Sequence, residues 1–209
     1  VVSKDSIVVG VAGVFFGLLV GWLIGSQQAP PAPQVPPQSS ASAPASTAGG
    51  DGQGAPQLDE SRAAALKTKA SQNPSDAVTR EQLGDLYFDA GRYEDAASWY
   101  EASLQIEPKN VSASTDLGIS YYYMNQPDRA LAQFDKSLAI DPGHAKTLLN
   151  IGIVRAFGKQ DLKGAADAWQ KVVAVAPSSD EAKAAQQALD GLRAAHPELG
   201  IAPPKGQGS

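Results

Sequence analysis

From Ala77 onward the chain nearly repeats itself, with a period of about 34 residues. A chain that returns to one pattern at a fixed interval buries its apolar positions by stacking each unit on the next, so the period limits the fold more than any bulk property does. Leu83-Gly84 recurs as Leu117-Gly118 and again as Ile151-Gly152. Tyr87 recurs as Tyr121, Ala96 as Ala130, Tyr100 as Phe134, and Pro108 as Pro142. The third unit closes with Ala165, Trp169 and Pro177, and Pro177 stands one place further from Pro142 than Pro142 stands from Pro108. That unit therefore has one extra residue, which the pattern places in a turn around Lys159 to Lys163. Gly84, Gly118 and Gly152 fall mid-helix, where glycine costs up to about 1 kcal/mol against alanine, a loss that makes sense where paired helices approach closely. Ala96, Ala130 and Ala165 are the small partners on the second helix, and Tyr100, Phe134 and Trp169 fill the space between neighbouring units. The three prolines end each second helix because they cannot continue its hydrogen-bond ladder. The spacing predicts helices at 77–90, 93–106, 111–124, 127–140, 145–158 and 162–175.

These residues resemble the tetratricopeptide repeat (TPR), a helix–turn–helix unit with small residues, aromatics and a closing proline at these places. The resemblance runs from Ala77 to Pro177 and implies an all-α solenoid of three repeats, 77–110, 111–144 and 145–178, within a domain spanning 58–196. Arg155 departs from it in the place of Tyr87 and Tyr121, and Arg80 and Ser114 miss the bulky residue that Leu148 keeps. Three repeats need caps. Leu58 to Ser71 reads as a preceding helix ended by Asn73-Pro74, the second helix of a degenerate unit. Ser179 to Ala195 reads as a solvating cap helix stopped by His196-Pro197, with a disordered tail over 197–209.

The chain before the repeats has two pieces. Ile7 to Ile24 is an unbroken run without a charge or strongly polar group. At about 1.5 Å per residue it reaches across a hydrocarbon core of roughly 30 Å, so residues 1–25 are expected to form a transmembrane anchor. Lys4 precedes the run and no Lys or Arg follows until Arg62, which puts the repeats on the outer side. The expected location is a bacterial inner membrane, single-pass, with the repeats in the periplasm. Gly13, Gly17, Gly21 and Gly25 make one smooth stripe for helix–helix approach in the membrane, and hence for a homo-oligomer. Residues 26–57 are almost all Pro, Ala, Ser, Gln and Gly, a disordered tether that cannot offset its chain entropy by burial.

Composition removes hypotheses. Net charge is -5, which disfavours nucleic acid because phosphate binding needs a basic face. With no cysteine, disulfides, thiolate metal sites and Cys nucleophiles are excluded. The two histidines, His144 and His196, read as solvated turn and helix-end residues. No catalytic, metal or cofactor motif is present, and Asn110-Val111-Ser112, a glycosylation triplet, sits at a helix start. The chain is expected to be no enzyme.

In TPR proteins the first helix of each repeat lines a concave surface that receives a peptide. The resemblance assigns that surface here to Val78, Glu81, Gln82, Asp85, Phe88 and Asp89, then Ser112, Thr115, Asp116, Ile119, Tyr122 and Tyr123, then Lys146, Leu149, Asn150, Ile153, Ala156 and Phe157. Of the three adjacent tyrosines, Tyr121 is the one assigned to the core. Some TPR domains clamp a terminal carboxylate with Lys, Asn and Arg, but Glu81 and Asp85 stand in the first unit instead. The acids favour a basic or neutral protein partner, and Phe88, Tyr122, Tyr123 and Phe157 offer apolar anchors. The expected function is a membrane-anchored scaffold that holds a partner and aids assembly of a membrane or periplasmic complex. Two alternatives are a subunit like those of cytochrome c maturation, presenting apocytochrome to a haem lyase, and a structural accessory subunit assembled through the glycine stripe.

Overall fold

In a computed structural model of the chain, residues 57–201 are described. They form eight α-helices: α1 (Glu60–Gln72), α2 (Ala77–Asp89), α3 (Tyr93–Ile106), α4 (Val111–Tyr123), α5 (Pro127–Ile140), α6 (Ala145–Ile153), α7 (Leu162–Val175) and α8 (Asp180–Ala195). A π-helical turn, Val154–Gly158, extends α6. The apolar run, its glycine stripe (Gly13, Gly17, Gly21, Gly25) and the tether to residue 56 lie outside the described residues. Among the described residues no helix is long and apolar enough to cross a membrane.

Helix starts follow capping chemistry. Asp59, Asp76, Asn110, Asp161 and Ser179 each accept a backbone N–H three residues on, satisfying one orphan donor of the first turn. The turns between units repeat as well. The N–H of Asp76, Asn110, His144 and Ser179 returns to the carbonyl of Asn73, Glu107, Asp141 and Ala176, respectively. At the start of α6 the cap is His144, which bonds a side chain instead of a backbone N–H. Its Nδ1 lies 2.7 Å from the Thr147 hydroxyl. Thr147 in turn lies 2.7 Å from the Thr115 hydroxyl, which donates to the Val111 carbonyl. Since Thr115 has spent its proton, Thr147 donates to Thr115 and His144 Nδ1 donates to Thr147. His144 is thus half-buried and stitched between repeats two and three, not solvated as its turn position suggested.

Within each unit a ring on the second helix seats on the glycine of the first. A Cβ on Gly84 or on Gly118 would lie 2.5 Å from the ring of Tyr100 or of Phe134, and one on Gly152 would overlap the Trp169 indole. The rings therefore sit inside their own units, where the mid-helix glycines make room. Ala96, Ala130 and Ala165 are fully buried, as is Leu83. Hydroxyls tie the pairs further: Ser103 donates to the Ala77 carbonyl, and Gln133 and Ser137 both donate to the Ser114 hydroxyl.

The extra residue of the third unit is absorbed in the helix and not in the turn. Each first helix ends at a left-handed residue, Gly91, Asn125 and Gln160, and the second interval between them is longer than the first by one position. After each, the N–H of Arg92 and of Gln126 reaches back five residues, to Tyr87 and Tyr121, whereas that of Asp161 reaches back six, to Arg155. The inserted residue therefore precedes Gln160, within Val154–Gly158, where a widened turn keeps the backbone bonded.

The ends are covered as a stack requires. Leu66 and Pro74 stand one period before Tyr100 and Pro108, and α1 packs Ala63, Leu66 and Ala70 against the first unit in the manner of a second helix. Helix α8 buries Ala182, Ala185 and Leu189 against α7. Pro197–Leu199, the expected start of a disordered tail, forms a 3-10 turn, and Ile201 packs on the terminal core.

Gly118→Ala tests the seat. Alanine in an open helix stabilises by up to about 1 kcal/mol, whereas here the new methyl meets Phe134 and the domain loses about 1–3 kcal/mol. Urea unfolding should show the loss and its partial recovery with Phe134→Leu. An unchanged midpoint refutes the account.

Candidate functional site

The first helices α2, α4 and α6 present one face, joined across repeats by side chains. Asn110 at the cap of α4 donates to Glu81 of α2 at 2.7 Å, and Lys146 of α6 pairs with Asp116 of α4 at 2.6 Å. Glu81, Asp85, Asp89 and Asp116 act on one another through their charges. Asp85 accepts the hydroxyl of Tyr100, whose ring lies on Gly84, so the packing seat also places a carboxylate on the face. Lys146 is the one base among the assigned residues and occupies Asp116.

Partial desolvation, followed by the neighbouring acids, holds the carboxyls of Glu81 and Asp85 above the ordinary range; the Asn110 and Tyr100 bonds oppose this. Burial, together with the nearby Asp116 and Asp85, pushes the Tyr100 phenol up as well, so it stays a donor to Asp85.

Next to the acids, toward the C-terminal ends of α2 and α4, four rings meet. Phe88 lies edge-on to Tyr93 and to Tyr123, at 5.2 and 5.4 Å between centroids, and Tyr93 stacks on Tyr123 at 4.6 Å. Tyr122 adjoins Tyr123 at 6.0 Å. Burial raises the Tyr123 phenol to about 12. Tyr121 is core, as assigned. It is 7% exposed, donates to Glu101 and is covered by the Arg129 guanidinium at 4.0 Å.

Three assigned surface residues are not on the surface. Thr115 is fully buried in the hydroxyl chain to Thr147 and Val111, and Leu149 and Ala156 lie in the core. Ile119, Ile153 and Asn150 are half-buried; Asn150 turns its amide back to the Lys146 carbonyl. Val78 and Phe157 are exposed. Tyr93 is absent from the assigned set. Its signal is the series Tyr93, Pro127, Leu162, which recurs with the repeat at the starts of the second helices. Among the described residues no group of His, Asp and Glu is arranged to hold a metal.

A TPR repeat family model matches residues 84–125, and a tetratricopeptide repeat model matches residues 112–144. The chain carries tetratricopeptide repeats. Similar solved structures share the fold. The first TPR of Spaghetti (RPAP3), bound to the HSP90 peptide SRMEEVD, is 23% identical, with a TM-score of 0.51 over 57% of this chain and 91% of that one. The second TPR domain of human RPAP3, in complex with the HSP70 peptide SGPTIEEVD, is 19% identical, with a TM-score of 0.50 over 56% and 94%. MamA from Desulfovibrio magneticus RS-1 is 22% identical, with a TM-score of 0.58 over 68% and 77%. No curated protein matches the chain. The two RPAP3 domains are seen with a peptide bound.

The raised carboxyls fix a pH dependence. An acid whose folded pKa exceeds its unfolded value makes folding less favourable as pH rises from the ordinary range of about 4 through the raised value. Asp85→Asn, which keeps an acceptor for Tyr100, should therefore raise the melting temperature relative to wild type at pH 7, with the difference shrinking toward pH 4. A difference that grows on acidification contradicts the assignment.

Proposed function

We propose that this TPR domain captures a basic or neutral segment of a protein partner on its first-helix face, as a scaffold held at a membrane by residues 1–25. The supporting observation is the makeup of that face: four carboxylates, Glu81, Asp85, Asp89 and Asp116, stand against one lysine, which Asp116 pairs, and adjoin a patch of clustered rings. Opposite charge steers encounter and penalises the wrong partner, and aromatic residues concentrate binding energy. The peptide seen on the first TPR of RPAP3 bears three acids and one arginine in SRMEEVD. An anion of that kind meets Glu81 and Asp85 here and is repelled, so the ligand class differs although the fold is shared. The membrane assignment rests on the run Ile7 to Ile24 and on the lysine before it. The run's glycine stripe supports self-association there, and the tether would let the repeats reach from an inner membrane into the periplasm to aid complex assembly.

Crosslinking from native membranes, read by mass spectrometry, tests the reading. The double variant Asp116→Lys with Tyr122→Ala should lose a partner that wild type retains. Recovery of the same partners with both proteins refutes the first-helix face as the working surface.

A further inference from the structure

In the first two units the ring three places before the left-handed turn residue is half-buried: Phe88 before Gly91, and Tyr122 before Asn125. Phe157 holds the same place before Gln160, yet it is 41% exposed. The inserted residue explains the difference. Counted from the helix start, the place of Phe88 and Tyr122 falls to Ala156, which is 7% exposed. The ring follows one position later, swung by about 100° around the helix. The widened turn Val154–Gly158 makes this possible without breaking backbone bonds, since Lys159 N–H still reaches the Val154 carbonyl.

The residue after Phe157, Gly158, borders the aromatic patch. A Cβ on Gly158 would lie 3.2 Å from the Tyr122 ring and 3.0 Å from Pro127, so Tyr122 packs close against the end of the π turn, one residue from Phe157. The patch of Phe88, Tyr93, Tyr123 and Tyr122 thus reaches the end of the π turn, and Phe157, one residue before Gly158, is turned to solvent.

We infer that the π turn releases Phe157 from helix packing to serve as the apolar anchor for a leucine-sized or aromatic side chain of the partner segment, flanked by that segment's basic residues. The inference rests on the reading of the first-helix face as one that takes cations, because the acids of α2 and α4 choose the flanking charge. It adds that the third unit selects the apolar residue, and that the longer third repeat is the device that does so.

The test uses the full chain and two fluorescein-labelled probe peptides, one alternating Lys and Leu, the other alternating Lys and Ser, followed by anisotropy. Phe157→Ala should weaken the Lys–Leu probe by about tenfold or more while leaving the Lys–Ser probe and the melting temperature unchanged. Phe157→Leu should restore binding. Deleting Gly158, which returns the unit to the length of the other two, should lose the Lys–Leu preference with helicity retained by circular dichroism. Lys–Leu binding by Phe157→Ala equal to wild type overturns the anchor. The control Asp85→Asn with Asp116→Asn separates the two claims. If it weakens both probes while Phe157→Ala weakens neither, only the anchor fails. If wild type binds neither probe, or the control changes nothing, both the face and the anchor fail.

Discussion

The structure depends on one contact made three times, an aromatic ring of the second helix laid on a mid-helix glycine of the first. With Gly84, Gly118 and Gly152 each roofed by Tyr100, Phe134 or Trp169, the two helices of a unit close to a distance that no Cβ permits. Glycine is a poor helix former and a large ring is awkward to bury between helices, but together they fill one another's space. Buried alanines on the second helices keep the approach close, and the closing prolines start the next unit at a fixed interval. Each unit then leaves an apolar side that its successor covers, which is why α1 and α8 are needed at the ends.

The same contact shapes the candidate site. Because the pairing is secured by the ring and glycine, the outward polar residues of the first helices can differ from unit to unit. On α2 three of them are acids, Glu81, Asp85 and Asp89, which Asp116 of α4 joins, with Lys146 paired to Asp116. Tyr100 links the two layers, seating on Gly84 with its ring and donating to Asp85 with its hydroxyl. Packing and surface chemistry are thereby coupled in the first unit. In the second and third, Phe134 has no hydroxyl and the Trp169 N–H turns to the Leu149 carbonyl.

Most of the fold was legible because the period exposes it. Helix limits read from the repeat agree with the structure to within a residue for α2, α3, α4, α5 and α7, because the register of the repeat carries each limit from one unit to the next. The third unit was harder. An extra residue is visible in a count, but a count does not say whether a turn or a helix absorbs it, and the π turn depends on backbone bonding that no side-chain pattern reports. For the same reason Ala156 was assigned to the surface and proved buried. Thr115 was misplaced because a threonine on a helix face looks solvated until its partners, Thr147 and the Val111 carbonyl, are known. Tyr93 escaped because helix starts rarely suggest a surface role, though stacking on Tyr123 gives it one. The acids of the first-helix face were visible at once, whereas the raised proton affinity of Glu81 and Asp85, which comes first from desolvation, needs the spatial arrangement.

The central claim is that partners meet the first-helix face and not the outer face of the second helices. Val78 of α2, a first helix, and Ile140 of α5, a second helix, are both exposed, at 56% and 37%. Replacing each in turn by a benzophenone amino acid and irradiating native membranes compares them directly. The account predicts partner adducts from position 78, reduced by excess Lys–Leu peptide, and none from position 140. Adducts from position 140 alone would contradict it.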